Sequence, residues 1–314
     1  MPSDDQQANQ NLQDQNPVGQ DILRQTLRSQ NLRGIFLMIA GMACFTVSDL
    51  FLKLTVRQLP VGQTMIILGI GSSIVFWSLM RRRGISVDYA PLLLRPVIIR
   101  NIGDIVCVSA MCLALAYVPL STVGAVIQTV PLIITIAAAL FLGEKVGVRR
   151  LTAVIVGFLG VMFIIRPSAD GFDAVVTLAL LAAFGMAVRD IGTRLTGAEV
   201  STLLLSLYSS VLMVISGAVM LAITGGAAVP SLDIMAICAA MILIGSVGYI
   251  AVTNAVRIGE MSVISPFRYS RLLFSLIIGV VILGENIDGR MLLGSALTIG
   301  AGLYIWHREL RLRA

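Results

Sequence analysis

Two arginines stand where an apolar sequence has least use for them. Arg268 and Arg271 lie in Ser265-Pro266-Phe267-Arg268-Tyr269-Ser270-Arg271, which runs straight into Leu272-Leu273-Phe274-Ser275-Leu276-Ile277-Ile278-Gly279. A charge near the centre of a bilayer costs about 2.5–3.5 kcal/mol even on a lenient scale. Such a group faces a polar cavity, pairs with an acid, or snorkels to the interface. Spaced three apart, the two guanidinium groups share one helix face, and Ser275 continues that face one turn on. Pro266 removes a backbone donor just before them. Backbone freed in this way at membrane depth is tolerated where protein or water satisfies it. The pattern suits recognition of an anionic or acceptor-rich group, with Tyr269 as a further hydrogen-bonding side chain.

Other polar residues are spaced to act together. Asp49 with Lys53, and Asp190 with Arg194, are acid–base pairs at i, i+4, each able to bridge along its own helix. They are expected to work as gates at opposite ends of the molecule. Arg100 and Asp104 repeat the spacing, with Asn101 beside them. Asp104 sits deepest among the acids, could carry a coupling proton, and is the expected partner of Arg268 or Arg271. Gln128, just before Pro131, could hydrogen-bond a polar substrate, and Tyr208, Ser209, Ser210 and Tyr249 could add to the lining. Glu144 and Glu285 each follow a glycine and are expected to open the next helix, where a carboxylate meets unpaired N–H groups.

The elements that must position these residues are membrane helices. The chain has 314 residues, 57% hydrophobic and 13% charged, with a mean hydropathy of +0.92; soluble domains carry about 25% charged residues. Apolar runs near the length of a bilayer crossing recur from Leu32 to Trp306. They divide into ten spans: 34–52, 62–80, 97–115, 121–141, 151–165, 174–190, 201–222, 233–253, 262–282 and 291–306. Residues 1–20 are rich in Gln, Asn and Asp and read as disordered, whereas Asp21–Arg33 could form a short amphipathic surface helix. No basic segment leads into an apolar one at the start, so no cleaved signal peptide is expected.

With both termini inside, tails and loops on the cytoplasmic face hold 16 of the 23 Lys and Arg residues and the opposite face holds four. That asymmetry obeys the positive-inside rule, and it accounts for the net charge of +6 without a nucleic-acid partner. Cys44, Cys107, Cys112 and Cys238 all fall in apolar runs, and the single histidine, His307, lies at the C-terminal edge. Neither a catalytic set nor a metal site is expected, and no cofactor.

The chain also repeats. A shift of 141 residues places Asp49 on Asp190, Lys53 on Arg194, Ser121 on Ser262, Leu142-Gly143-Glu144 on Leu283-Gly284-Glu285 and Arg149 on Arg290. Each half holds five spans, an odd number, so the second enters the membrane with the opposite orientation. Inverted repeats of this kind build secondary transporters, with the substrate near the midplane. The fold class expected is an all-α membrane protein of ten transmembrane helices in two inverted five-helix repeats. The repeats cover 34–166 and 174–306, flanked by tails at 1–33 and 307–314.

With these features on view, the chain resembles the drug/metabolite transporter superfamily, and within it the EamA-type ten-helix transporters, over residues 32–308. The carriers are the two repeats, Pro119-Leu-Ser-Thr-Val-Gly-Ala125, the two Leu-Gly-Glu turns, the glycine-rich fifth span of each half and Ser265–Tyr269. The resemblance implies spans 1–4 and 6–9 around a central cavity, with spans 5 and 10 at the periphery, where a homodimer contact would form. It implies a secondary transporter in the bacterial inner membrane, moving a small polar or amphipathic metabolite by alternating access. Vitamin uptake of the riboflavin type is one candidate, and export of amino acids or related metabolites is an alternative. A lipid-modifying membrane enzyme is the rival from another class. The residues expected to bind substrate are Arg271, Arg268, Tyr269, Asp104 and Gln128.

Overall fold

The computed structural model describes residues 17–141, 148–165, 174–197, 199–258 and 264–313. Among them every predicted span is helical. Spans 1 to 3 are Pro17–Val56, Val61–Arg82 and Arg95–Tyr117. Span 4 comes in two pieces, Leu120–Ile127 and Val130–Phe141. Spans 5 to 8 are Val148–Ile165, Ala174–Leu195, Thr202–Thr224 and Leu232–Ile258. Span 9 opens as a 3-10 turn, Ser265–Tyr269, and continues as Ser270–Val281, and span 10 is Gly289–Arg313. The segment Asp21–Arg33 is not a separate surface helix: the helix of span 1 begins at Pro17 and runs through it without a break. Residues 1–16, where disorder was expected, lie outside the described residues.

Prolines set the helix starts. Pro60 and Pro119 stand immediately before spans 2 and 4, where a missing N–H costs nothing. The same chemistry inside a helix breaks it. Pro131 is the second residue of the lower piece of span 4 and offers no N–H to the turn above, and the helix is interrupted at Gln128–Thr129. Span 9 changes from 3-10 to α geometry between Tyr269 and Ser270. Those two positions are the 141-residue counterparts of Gln128 and Thr129, so both halves carry an irregularity at the same depth. Interrupted helices at matching places in two repeats mark the substrate region of many transporters.

The packing follows the repeat. Span 1 lies against span 8, and span 3 against span 6, which is the same pair after a shift of five spans. Spans 2 and 7, 4 and 9, and 5 and 10 form the self-related pairs. Small residues let these helices approach closely. A Cβ on Gly217 would lie 2.7 Å from the carbonyl oxygen of Gly62 in span 2, and one on Gly185 would lie 2.8 Å from that of Gly103 in span 3. In spans 5 and 10, a Cβ on Gly160 would lie 2.7 Å from the Gly294 oxygen, and Thr298 Oγ1 donates to the Gly157 oxygen at 3.3 Å. The glycine stripes of spans 5 and 10 therefore face each other within one chain. Large apolar side chains such as Phe36, Ile74, Ile155, Phe163, Ile215 and Leu273 point outward, as a lipid-facing surface requires.

Candidate functional site

Both arginines of span 9 find aspartates, and the aspartates are the symmetry-related pair. Arg271 Nη2 donates to Asp49 Oδ2 of span 1 at 2.6 Å, and its guanidinium stacks 5.7 Å from the centre of the Phe45 ring. Arg268 Nη1 donates to Asp190 Oδ2 of span 6 at 3.0 Å. The other oxygen of Asp190 accepts from Arg189 Nε at 3.2 Å and Nη2 at 3.1 Å. Arg189 Nη1 reaches Asp104 Oδ1 of span 3 at 3.5 Å. One helix, span 9, is thus clamped between equivalent aspartates of the two halves, and the chain of charges extends through Arg189 to span 3.

These contacts redraw several expected pairs. Asp49 and Lys53 do not bridge along span 1. Asp49 takes Arg271, whereas Lys53 Nζ donates to the carbonyl oxygens of Val118 at 2.5 Å and Leu115 at 3.4 Å and lies 3.9 Å from Glu285 Oε1. The C-terminal end of span 3 is a ready partner for a cation, because its last carbonyls are unpaired and carry the negative end of the helix dipole. Arg100 and Asp104 do not pair either, since Arg189 takes the carboxylate. Nor is Asp104 the partner of Arg268 or Arg271. The side chain of Arg194 lies outside the described residues, and the Asp190 carboxylate is held by Arg189 and Arg268.

Glu285 does not open the helix after it. Gly284 adopts φ +65°, a conformation open chiefly to glycine, and the chain turns back. The N–H of Leu283 then reaches the Ile278 oxygen at 3.2 Å, and that of Glu285 reaches the Gly279 oxygen at 2.8 Å. The Glu285 carboxylate swings to the start of span 4, where it accepts from the N–H groups of Leu120 at 2.7 Å and Ser121 at 2.9 Å and from Ser121 Oγ at 2.6 Å. Span 10 is opened instead by Asp288, whose Oδ1 accepts from Met291 N at 2.9 Å. Glu144 lies outside the described residues.

Arg100 is the most deeply buried cation, 1% exposed. Its Nη1 donates to Asn101 Oδ1 at 3.1 Å, the Leu205 oxygen at 3.1 Å and Ser209 Oγ at 2.6 Å, and its Nη2 donates to Tyr249 OH at 2.7 Å. Ser209 and Tyr249, expected as lining residues, thus join spans 3, 7 and 8. Ser210 accepts from Ser73 of span 2 at 2.9 Å, and the Tyr208 hydroxyl donates to the backbone oxygen of Asp88.

Gln128 sits buried at the break of span 4, its Nε2 only 3.4 Å from the Gly124 oxygen of its own helix. Tyr269 is turned away from the ion pairs and faces span 10. A Cβ on Gly302 would collide with its hydroxyl, and that hydroxyl is buried without a hydrogen-bond partner. The residue that sequence reasoning missed is Arg189, counted there among the cytoplasmic loop charges. Its signal was asymmetry: it precedes Asp190, whereas Ser48 precedes Asp49.

The four cysteines are free, and no group of metal-ligating side chains assembles among the described residues. The site is a set of cations and carboxylates spread across a broken-helix region. It can bind, orient and neutralise a polar solute, and it can be taken apart and reassembled as helices move.

Comparison with known proteins identifies the family. The EamA-like transporter family matches residues 32–166 and again 174–306. A riboflavin transporter of Rhizobium johnstonii is 32% identical over 205 residues, covering 65% of this chain and 67% of the relative. An S-adenosylmethionine uptake transporter of Rickettsia bellii is 26% identical over 198 residues, covering 62% and 66%. A protein crystal structure superposes with a TM-score of 0.59 at 20% identity, covering 91% of this chain and 99% of the other, a likeness of fold. The enzyme alternative falls with these matches. The chain belongs to the EamA-like transporter family and is a multi-pass membrane transporter of small metabolites.

Proposed function

We propose that the chain imports riboflavin, or a closely similar uncharged and acceptor-rich metabolite, across the bacterial inner membrane by alternating access, with both termini cytoplasmic. The observation that carries this reading is the charge of the core. Arg100, Arg189, Arg268 and Arg271 face Asp49, Asp104 and Asp190, an excess of one positive charge among the described core residues. An uncompensated cation at membrane depth is costly and repels a second one. A sulfonium substrate such as S-adenosylmethionine suits this core poorly, whereas a flavin, edged with carbonyl and ring-nitrogen acceptors, suits it well. Uptake is the direction named for the S-adenosylmethionine relatives, 26% identical, against export for a relative 23% identical.

In this reading Arg271, Arg268 and Asp104 meet the substrate, with Gln128 at the break beside them, and Tyr269 holds span 9 against span 10. Asp49 and Asp190 gate by holding or releasing the span 9 arginines. Lys53 and Glu285 close the outer end, joining span 1 to the junction of spans 3 and 4. The close approach of Gly160 and Gly294 between spans 5 and 10 supports a transporter that works as a single chain. The test is growth of a riboflavin auxotroph on limiting riboflavin. Cells carrying this chain should grow and accumulate riboflavin, with no competition from excess S-adenosylmethionine. Failure of growth, or competition by S-adenosylmethionine, would overturn the substrate.

A further inference from the structure

Three of the four core arginines have a carboxylate within salt-bridge distance, and Arg100 does not. Among the described residues it is held only by neutral acceptors, Asn101, Ser209, Tyr249 and the Leu205 carbonyl, and its Nε has no partner there. A guanidinium presents its donors as a rigid planar fork that matches two neighbouring acceptors. Burying one without a counter-charge and with part of that fork idle is expensive. Arg100 also stands one turn from Asp104, the end of the ion-pair chain that leads to span 9, and its backbone lies against Gly192 of span 6, where a Cβ would come within 2.6 Å of the Arg100 nitrogen. It therefore belongs to the polar core, at the side bounded by spans 3, 7 and 8.

We propose that Arg100 is the specificity-determining subsite that receives the bidentate acceptor edge of the substrate, with Ser209 and Tyr249 holding the empty fork. This rests on the reading of the substrate as a flavin-like metabolite. In a flavin the ring nitrogen N5 and the adjacent carbonyl O4 form such an edge. Two acceptors side by side take two parallel N–H donors of the guanidinium, and the serine and tyrosine hydroxyls are displaced as they arrive. Asn101 stays, positioning the fork from the same helix.

The experiment pairs an atom of the ligand with an atom of the protein. Riboflavin uptake is measured in proteoliposomes with 5-deazariboflavin, in which a C–H replaces N5, as the competitor. On the natural chain the deaza compound should compete at least about tenfold more weakly than riboflavin itself, as loss of a hydrogen bond to a charged donor requires. The variant R100K keeps the charge and loses the fork. It should take up riboflavin with a half-saturating concentration raised about tenfold, and the discrimination against the deaza compound should fall to near one. An R100K protein that discriminates as well as the natural chain would overturn the subsite. Should R100K not reach the membrane, Y249F decides. It frees a donor of Arg100, so the half-saturating concentration of riboflavin should fall about threefold with discrimination retained, and no change in either quantity would overturn the proposal. Absence of riboflavin uptake by the natural chain would overturn the substrate reading and this subsite with it, whereas normal uptake by the natural chain with unchanged discrimination in R100K, or with an unchanged half-saturating concentration in Y249F, would overturn the subsite alone.

Discussion

Spans 4 and 9 are counterparts in the repeat, and each changes course at the same depth, at Gln128–Thr129 and Tyr269–Ser270. They pack against one another so closely that a Cβ on Gly124 would strike Ser275. Their chemistry differs. Where span 9 carries Arg268 and Arg271, span 4 carries Ile127 and Val130, both buried in the apolar core. The aspartates that could have served one arginine-bearing helix in each half, Asp49 and Asp190, both converge on span 9. Symmetry supplies the scaffold and the hinge, and the departure from symmetry supplies the charge that a polar solute can use.

Breaking the clamp on span 9 should have the largest effect. Arg271→Ala leaves Asp49 with no other cation in salt-bridge contact among the described residues, and truncating one partner of a buried pair costs about 3–5 kcal/mol. Uptake should be lost, and the purified protein should melt well below the natural one in a detergent thermal-shift assay. The reverse experiment restores symmetry in the wrong direction. Val130→Arg places on span 4 a cation whose symmetry-related acid, Asp190, is already held by Arg189 and Arg268, at a cost of about 2.5–3.5 kcal/mol, and membrane yield should fall. A yield equal to that of the natural chain would mean that the two spans are chemically interchangeable. Arg268→Ala should be milder than Arg271→Ala, because Asp190 keeps Arg189 at 3.1 Å. The expected result is a raised half-saturating concentration with little loss of thermal stability.

Two smaller changes sharpen the comparison. Glu285→Gln weakens the carboxylate that closes the start of span 4, worth about 1–2 kcal/mol as a helix cap, without touching the span 9 arginines. Transport should fall in part, because the same carboxylate closes the outer end with Lys53, and thermal stability should fall with it. Gln128→Ala removes a 3.4 Å contact within its own helix, too long to contribute much. Truncating this buried side chain leaves a cavity and should lower thermal stability somewhat, so a fall in uptake beyond that of the volume-conserving Gln128→Met reports a contact with substrate.

Much of this architecture was legible in the sequence. Ten spans and their inverted repeat follow from apolar run length and from motifs recurring at one offset. Partner choice was not legible. A spacing of i, i+4 brings Asp49 near Lys53 and Arg100 near Asp104, yet it is silent on what a neighbouring helix delivers. Arg271 and Arg189 arrive from other helices and take those aspartates, and the carbonyls at the end of span 3 take Lys53. Glu285 could not be assigned without the reversal at Gly284, which carries its carboxylate to a different helix. Tyr269 read as a lining residue because of its neighbours, and only the missing side chain of Gly302 explains why its ring turns toward span 10. Arg189 was visible as an asymmetry against Ser48 before its role could be stated.

The central claim is that the Arg271–Asp49 pair serves transport and is not required for the fold. The double variant D49N/R271Q tests it most directly, because replacing both charges removes the uncompensated one that makes each single change destabilising. The account predicts a protein that reaches the membrane and melts within a few degrees of the natural chain, yet takes up no riboflavin above background. Uptake at the natural rate in that double variant would contradict it.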